Sequence, residues 1–147
     1  MRWTRDPFII SDERSSLILD DVHSLLQTSH WASDRSKEAI GLSVENSLNF
    51  GLFDGNRLIG FARMLTDYAT YAVILDFIIS EQYRGQGLGK WLMGVMTNHS
   101  KVNKIRQILW TSTAVGFYEQ FDFQVIQDTS KTLVKPPFRW HKYQVLS

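Results

Sequence analysis

A short glycine-rich stretch, residues 82–92, joins a strand-like run to a helix-like one. Residues 71–79 before it are β-branched, aromatic and aliphatic with Asp76 as their only charge, which predicts a mostly buried strand. After Gly85, apolar side chains recur every three or four positions, and this spacing predicts a helix packed on a sheet. These side chains are Leu88, Leu92, Val95 and Met96. The chain must therefore build a sheet that carries at least one helix on its face.

The junction has the chemistry of an anion-binding site. The first turn of a helix has backbone N–H groups without intrahelical partners, and glycines remove the Cβ atoms that would keep a phosphate away from them. Arg84 and Lys90 add positive charge there. A P-loop string is absent, and a dinucleotide fingerprint fails because Lys90 stands where its third glycine belongs. The alternative is a plain flexible turn, but three glycines weaken a helix start by up to ~1 kcal/mol each, and a turn does not need them.

Two segments carry a family resemblance. Gln82, Gly85 and Gly87 fit the string [Q/R]-x-x-G-x-[G/A], and residues 113–123, TAVGFYEQFDF, fit a late helix that reads L/F-Y-E-K-x-G-F. Together they resemble the acetyl-CoA signature of the GNAT acetyltransferase superfamily, as a small single-domain bacterial-type member. Asp122 replaces the usual glycine, and since aspartate tolerates a left-handed backbone, we expect the turn there to survive. The resemblance covers the chain after Asn49, while the earlier residues match only in layout.

The resemblance implies an α+β fold over residues 1–147, with a central mixed, mostly antiparallel sheet flanked by helices. The local patterns are consistent with this order. They predict an edge strand at 3–10 with pairing limited by Pro7, helices at 17–28 and 36–47 with Ser33 or Asp34 as the second cap, a hairpin of 49–53 and 57–66, a strand at 107–111, and final strands after the late helix.

The resemblance also implies acetyl-CoA as cosubstrate. Its pantetheine arm would pair with the backbone of Phe77, Ile78 and Ile79, in a cleft between the strands at 71–79 and 107–111. Its diphosphate would lie over the glycine loop, where amide N–H groups and a helix dipole favour negative charge. The implied contacts there are Arg84, Gly85, Gln86, Gly87, Leu88, Gly89 and Lys90.

The implied reaction is direct acetyl transfer, most readily to a primary amine of a small molecule, peptide or protein. Tyr118 matches the family's general acid for the coenzyme thiolate, although it could instead pack in the core. Asp76, His30 and Tyr71 are candidate bases, and an amine that loses its proton through water would need none of them.

We expect the acceptor to lie beside His30, Trp31 and Tyr68, and the tail at 136–141 is a further candidate border. Whether acetyl goes to nitrogen or oxygen stays open. A noncatalytic acyl-CoA-binding sensor or interaction domain is the alternative function.

Composition excludes several other classes. Sixteen basic and fifteen acidic residues nearly cancel in this 147-residue chain, which argues against a nucleic-acid surface. No apolar run approaches the ~20 residues of a membrane span, and the first residues lack a signal-peptide core, so we expect a cytoplasmic protein. Cysteine is absent, which excludes thiolate metal sites. We expect no metal, no membrane partner, and a monomer or homodimer.

Overall fold

The computed structural model describes residues 1–126 and 132–135, and it divides into two compact units, Met1–Ser112 and Thr113–Ser147. None of the helices in these described residues has the length and apolar character needed to cross a bilayer.

The first unit is built on a six-stranded sheet whose strands lie in chain order. The first four neighbouring pairs are antiparallel and the last pair is parallel. This arrangement confirms the predicted mixed, mostly antiparallel sheet. The strands are β1 (Arg2–Arg5), β2 (Phe8–Ser11), β3 (Leu48–Asp54), β4 (Arg57–Thr66), β5 (Tyr71–Ile79) and β6 (Arg106–Ile108).

Three α-helices accompany the sheet in this unit: α1 (Leu19–Gln27), α2 (Lys37–Glu45) and α3 (Leu88–Thr97). The apolar stripe of α1 packs with α2 and with β4 and β5 in one buried cluster, to which Leu26, Ile40, Phe61 and Ile78 belong. In α3 the buried side chains are Leu88, Leu92, Met93 and Met96. Val95, expected on the buried stripe, is only half-buried, and Met93 is buried instead.

Two local expectations were wrong. The predicted edge strand at 3–10 is a hairpin, because Asp6 and Pro7 form the turn between β1 and β2 and so do not limit pairing within a strand. The cap of α2 is Ser36, whose Oγ accepts a 3.1 Å hydrogen bond from the Ala39 N–H. Ser33 and Asp34 lie too far ahead of the first turn to cap it.

The hairpin prediction for β3 and β4 is confirmed. Gly55 at its turn has a φ of +59°, a left-handed conformation that glycine adopts without strain.

The second unit contains α4 (Val115–Glu119), the predicted late helix. Asp122 just beyond it has a φ of +67°, so the left-handed turn forms with aspartate in place of glycine. The sequence predicts final strands after the late helix, but residues 123–126 form no regular structure. The rest of the segment that was expected to form them includes residues 127–131 and 136–147. Those residues, including the candidate border at 136–141, lie outside the described part of the chain.

Candidate functional site

The two edges of β5 are paired unequally. Its edge toward β4 is paired from Ala72 to Ile79. Its edge toward β6 is paired only at Tyr71, Ala72 and Val73, because β6 ends at Ile108. Beyond Val73, no described strand pairs with this edge of β5. Phe77, Ile78 and Ile79 lie on this part of β5.

A β-bulge interrupts β5 at Asp76. Phe61 pairs with Ile78 and Arg63 pairs with Leu75, so Asp76 and Phe77 together face the single residue between them on β4. The φ of Asp76 is +56°, which is unusual for a residue other than glycine. Bulges of this kind re-aim a side chain, and here the Asp76 carboxylate is turned into the protein.

The Asp76 carboxylate accepts three hydrogen bonds. Its Oδ2 accepts 2.7 Å hydrogen bonds from Arg63 Nε on β4 and from Arg35 Nη1 in the loop between α1 and α2. Its Oδ1 accepts a 3.2 Å bond from Trp31 Nε1 in the same loop. The Asp76 side chain is only 4% exposed. We call Trp31, Arg35, Arg63 and Asp76 the aspartate cluster.

These contacts decide the basicity of Asp76. Burial alone would raise the pKa of its carboxyl, but the hydrogen bonds and charges of Arg35 and Arg63 outweigh burial and lower the pKa below its ordinary value. Asp76 is therefore ionised at neutral pH and weakly basic. Its contacts favour a role in holding the α1–α2 loop on β5, and its role as a catalytic base stays a prediction.

The glycine loop between β5 and α3 is open. Gly85 and Gly87 have φ values of +83° and +81°, and a Cβ built on either would meet no atom within 4 Å. Helix α3 begins directly after Gly87, and Gly87 has no side chain that could cap the first turn of the helix. Free N–H groups beside open space fit a diphosphate. Both glycines are thus placed as an anion cradle requires.

The residues around the cradle have different roles. Arg84 Nε donates a 2.9 Å hydrogen bond to the Ile79 carbonyl oxygen, which anchors the guanidinium at the end of β5. Gln86 and Lys90 are exposed, whereas Leu88 is buried. A Cβ on Gly89 would lie 3.6 Å from Ile79 and 3.8 Å from Phe77, which are ordinary van der Waals contacts, so the packing of α3 on β5 does not require glycine there. A ligand contact at Gly89 stays a prediction.

The predicted general acid, Tyr118, belongs to the second unit. Its ring lies 5.1 Å from that of Phe117 and 6.2 Å from that of Phe123, centroid to centroid. Burial raises the pKa of the Tyr118 phenol above its ordinary value. The phenol therefore carries its proton at neutral pH.

The three predicted acceptor-side residues do not behave alike. Trp31 joins the aspartate cluster, and His30 packs edge-on against the Trp31 ring at 5.1 Å while remaining exposed. Tyr68 lies in the turn before β5 with a φ of +63°, and the Lys101 ammonium lies 5.6 Å from its ring centroid. Within residues 1–126 and 132–135, only Trp31 of these three contacts Asp76.

The sequence reasoning missed Arg35 and Arg63. Arg63 had a usable signal, since it lies 13 residues before Asp76 on the predicted strand at 57–66, which directly precedes the predicted strand at 71–79. Arg35 had none, because it lies in a loop 41 residues away along the chain. The described residues also contain no group of histidine and acidic side chains arranged to hold a metal ion.

Comparison with known proteins gives a consistent result. The family described as "Acetyltransferase (GNAT) domain" matches residues 45–125. The N-acetyltransferase ycf52-like of Prochlorococcus marinus is 33% identical over 119 residues, which cover 76% of this chain and 65% of that protein. The chloroplastic GCN5-related N-acetyltransferase 2 of Arabidopsis thaliana is 29% identical over 126 residues, which cover 83% of this chain and 45% of that protein. The chain spans between 45% and 65% of the length of the curated relatives that it matches.

Solved structures agree on the fold. A crystal structure of a GNAT-family protein from Xanthomonas campestris pv. campestris superposes with a TM-score of 0.82 at 28% identity, covering 92% of this chain and 96% of that one. A GNAT-family acetyltransferase of Elizabethkingia anophelis, solved with acetyl-CoA bound, gives a TM-score of 0.64 at 16% identity, covering 92% and 90%. The second likeness concerns the fold alone.

Proposed function

Because the chain belongs to the GNAT acetyltransferase family, we propose that it transfers the acetyl group of acetyl-CoA directly to an acceptor, preferably a primary amine. The observation that carries this proposal is the course of β5, which β6 pairs only as far as Val73 in the described residues and which then leads into the open glycine loop. Acetyl-CoA is complementary to this arrangement, because its extended, amide-rich pantetheine arm is followed by a diphosphate. The family match spans residues 45–125 and so includes parts of both units, which supports one functional domain over residues 1–147.

The chain's own groups would hold the coenzyme in two ways. Main-chain groups of Phe77, Ile78 and Ile79 would hydrogen-bond the pantetheine amides. The residues of the glycine loop from Arg84 to Lys90 would hold the diphosphate with N–H groups, the α3 dipole and two cationic side chains. The dipole contributes about 0.3–1 kcal/mol per charge, so binding depends on several such contacts together. The acetyl-CoA bound in the Elizabethkingia anophelis relative supports the choice of coenzyme.

The reaction requires a neutral amine and a proton for the leaving sulfur. The bound thioester supplies an activated acyl carbon. The amine nitrogen attacks this carbon, a C–N bond forms as the C–S bond breaks, and the Tyr118 hydroxyl gives its proton to the departing sulfur. The phenol carries its proton at neutral pH, as a general acid must, although burial raises its pKa and so makes it a weaker proton donor. The nitrogen loses its extra proton to water or to a base, and the Tyr118 phenolate regains a proton from solvent, which restores the enzyme.

The mechanism also needs a group that accepts the proton of the acceptor amine. Asp76 is held by two guanidiniums and has a lowered pKa, so we propose that it positions Trp31 and Arg35 on the acceptor side rather than taking a proton itself. His30 and Tyr71 remain alternatives, as does proton loss through water. Trp31, His30 and Tyr68 are proposed to border the acceptor.

A second function is favoured by the same observation. A site without a dedicated base would suit a noncatalytic acyl-CoA-binding sensor or interaction domain. The two functions share the coenzyme site and differ only in turnover.

Calorimetry with acetyl-CoA and CoA, against ATP and NAD, tests the shared step. We expect both coenzymes to bind and neither control to do so. A free-thiol assay over a panel of amines then separates enzyme from sensor, because only an enzyme releases CoA in proportion to added acceptor. A folded sample that binds neither coenzyme would overturn both functions.

Tyr118→Phe tests the general acid. Removing the hydroxyl should lower kcat by about 100-fold, within the range for loss of a general acid, and leave the Kd of acetyl-CoA within about twofold. Stopped-time thiol release and calorimetry measure the two constants. Equal losses in kcat and in coenzyme affinity would refute the assigned role.

A further inference from the structure

The glycine loop is held at its ends and not along its length. Gly85 and Gly87 have open space where a Cβ would lie, so packing does not fix them. Helix α3 fixes the far end. The near end is the short 3₁₀ turn Glu81–Tyr83, whose own backbone bonds are Tyr83 N–H to the Ser80 carbonyl at 2.9 Å and Ser80 N–H to the Ile59 carbonyl at 2.7 Å.

The side chains of this near end are fastened to the turn between β3 and β4. The Tyr83 hydroxyl donates a 2.8 Å hydrogen bond to Asp54 Oδ2, the last residue of β3. Arg57, the first residue of β4, donates from Nη2 to Gln82 Oε1 at 3.0 Å. Both residues that flank the tight turn therefore contact consecutive residues of the 3₁₀ turn.

Ring contacts strengthen the same attachment. The Arg57 guanidinium carbon lies 5.7 Å from the Tyr83 ring centroid, and Phe8 of β2 meets that ring edge-on at 6.3 Å. From the other side, Gln86 Nε2 donates to the Tyr83 carbonyl oxygen at 3.1 Å, which connects Tyr83 to the glycines themselves. Tyr83 thus connects the hairpin turn to the loop, beside the contact of Arg57 with Gln82.

We infer that Asp54, Arg57 and Tyr83 form a staple that positions the glycine loop for the coenzyme diphosphate. This inference rests on the proposed function. The physical reason is preorganisation: N–H groups bind an anion tightly only when they are held in the right geometry before it arrives. The staple adds to the bond from Arg84 Nε to the Ile79 carbonyl oxygen in holding the near end of the loop. The three residues are positioning residues and need not touch the coenzyme.

The staple makes a prediction that separates positioning from mere stability. Loss of a positioning contact should weaken ligands that carry the diphosphate and spare ligands that lack it. A purely structural residue would lower the melting temperature and leave the ratio of the two affinities unchanged.

The test compares Tyr83→Phe and Arg57→Met with the wild-type protein. Tyr83→Phe removes one hydroxyl and keeps the ring, so Arg57 and Phe8 retain their contact. Arg14→Met is the matched control, since it removes an exposed arginine whose 2.8 Å ion pair is with Glu45, far from the loop in sequence. Calorimetry gives the Kd of CoA, and titration followed by NMR gives the weaker Kd of pantetheine, which lacks the diphosphate.

We expect each staple variant to raise the Kd of CoA about five- to tenfold, the size of one or two partly exposed hydrogen bonds to charged groups. The Kd of pantetheine should stay within about twofold, and Arg14→Met should change neither ratio. Asp54→Asn keeps an acceptor for the Tyr83 hydroxyl and should fall between the wild type and Tyr83→Phe.

Failure has two distinguishable forms. Wild-type protein that does not bind CoA overturns the proposed function and the staple with it. Wild-type protein that binds CoA, with staple variants whose CoA-to-pantetheine ratio is unchanged, overturns the staple alone.

Discussion

The aspartate cluster is centred on β5 and the glycine loop connects β5 to α3, yet the two regions are built in opposite ways. At Asp76 two guanidiniums and an indole donate hydrogen bonds to the carboxylate in a buried setting. At Gly85 and Gly87 there is no side chain at all, and the space beside the backbone is empty. One region is held by its own contacts and the other by what is attached to its ends.

The difference shows what each region can do. The three hydrogen bonds of Asp76 fix the α1–α2 loop on the sheet and lower the basicity of the carboxylate, so this region suits positioning better than proton transfer. Unused N–H groups keep their capacity for a ligand, so the glycine loop suits binding. Four experiments test this contrast, from the largest expected effect to the smallest.

Asp76→Asn should have the largest effect. It leaves two partly buried guanidiniums without a countercharge, and breaking a buried ion pair costs about 3–5 kcal/mol in the free energy of unfolding. Urea denaturation measures this loss. Asp20→Asn is the control, because the Asp20 side chain is 71% exposed in its ion pair with Lys37, and exposed ion pairs contribute little to stability. Similar losses in both variants would show that the cluster is not the anchor.

Gly87→Glu should abolish coenzyme binding while the protein stays folded. A carboxylate would occupy the cradle and repel the diphosphate, and we expect the Kd of CoA to rise at least about 100-fold, or about 2.7 kcal/mol. Gly87→Ala is the matched control, since it carries the same left-handed strain without the charge or the length. Calorimetry measures both. Unchanged affinity in Gly87→Glu would mean that the diphosphate lies elsewhere.

Acid should remove the contribution of Asp76 to stability. The pKa of its carboxyl is lowered in the folded state, so its contribution is fully present above the unfolded value near 3.8 and is lost as the pH falls through the lower folded value. The difference in unfolding free energy between wild type and Asp76→Asn should therefore be constant from pH 7 to about pH 5 and shrink below about pH 4. Urea denaturation at each pH measures it. A difference that grows in acid would contradict the lowered pKa.

Trp31→Phe should have the smallest effect. It removes one 3.2 Å hydrogen bond to Asp76 Oδ1 and keeps an aromatic ring, which costs about 1 kcal/mol. Thermal unfolding measures the change. A loss as large as that of Asp76→Asn would mean that the indole, rather than the guanidiniums, holds the cluster together.

Much of the frame could be predicted because it depends on local patterns. The run of apolar residues gave the bounds of β5, the Asp-Gly turn gave the β3–β4 hairpin, and the change to helical spacing gave α3. Asp122 took the left-handed turn expected of it.

The remainder depends on contacts between distant residues. Arg35 reaches Asp76 across 41 positions, and no periodicity announces such a pair. No glycine in the sequence signals the bulge at Asp76. Pro7 was interpreted as a limit on pairing within one strand, whereas it lies in the turn between β1 and β2. The glycine motif indicated where an anion could bind, but not that the β3–β4 turn supports it.

The bulge in β5 also changes the phase of the strand. Leu75 and Ile78 both pair with residues on the same face of β4, although they are an odd number of positions apart. Odd-numbered side chains therefore face one side before Asp76 and the opposite side after it, which is why Phe77 and Ile79 meet α3 at Gly89 while Ile78 packs with α1 and α2. Removal of a single codon here would restore an uninterrupted ladder without turning either half of the strand over. Asp76 can thus be understood as one inserted residue in an otherwise ordinary strand. A relative could lose this residue in one step and keep the rest of its core.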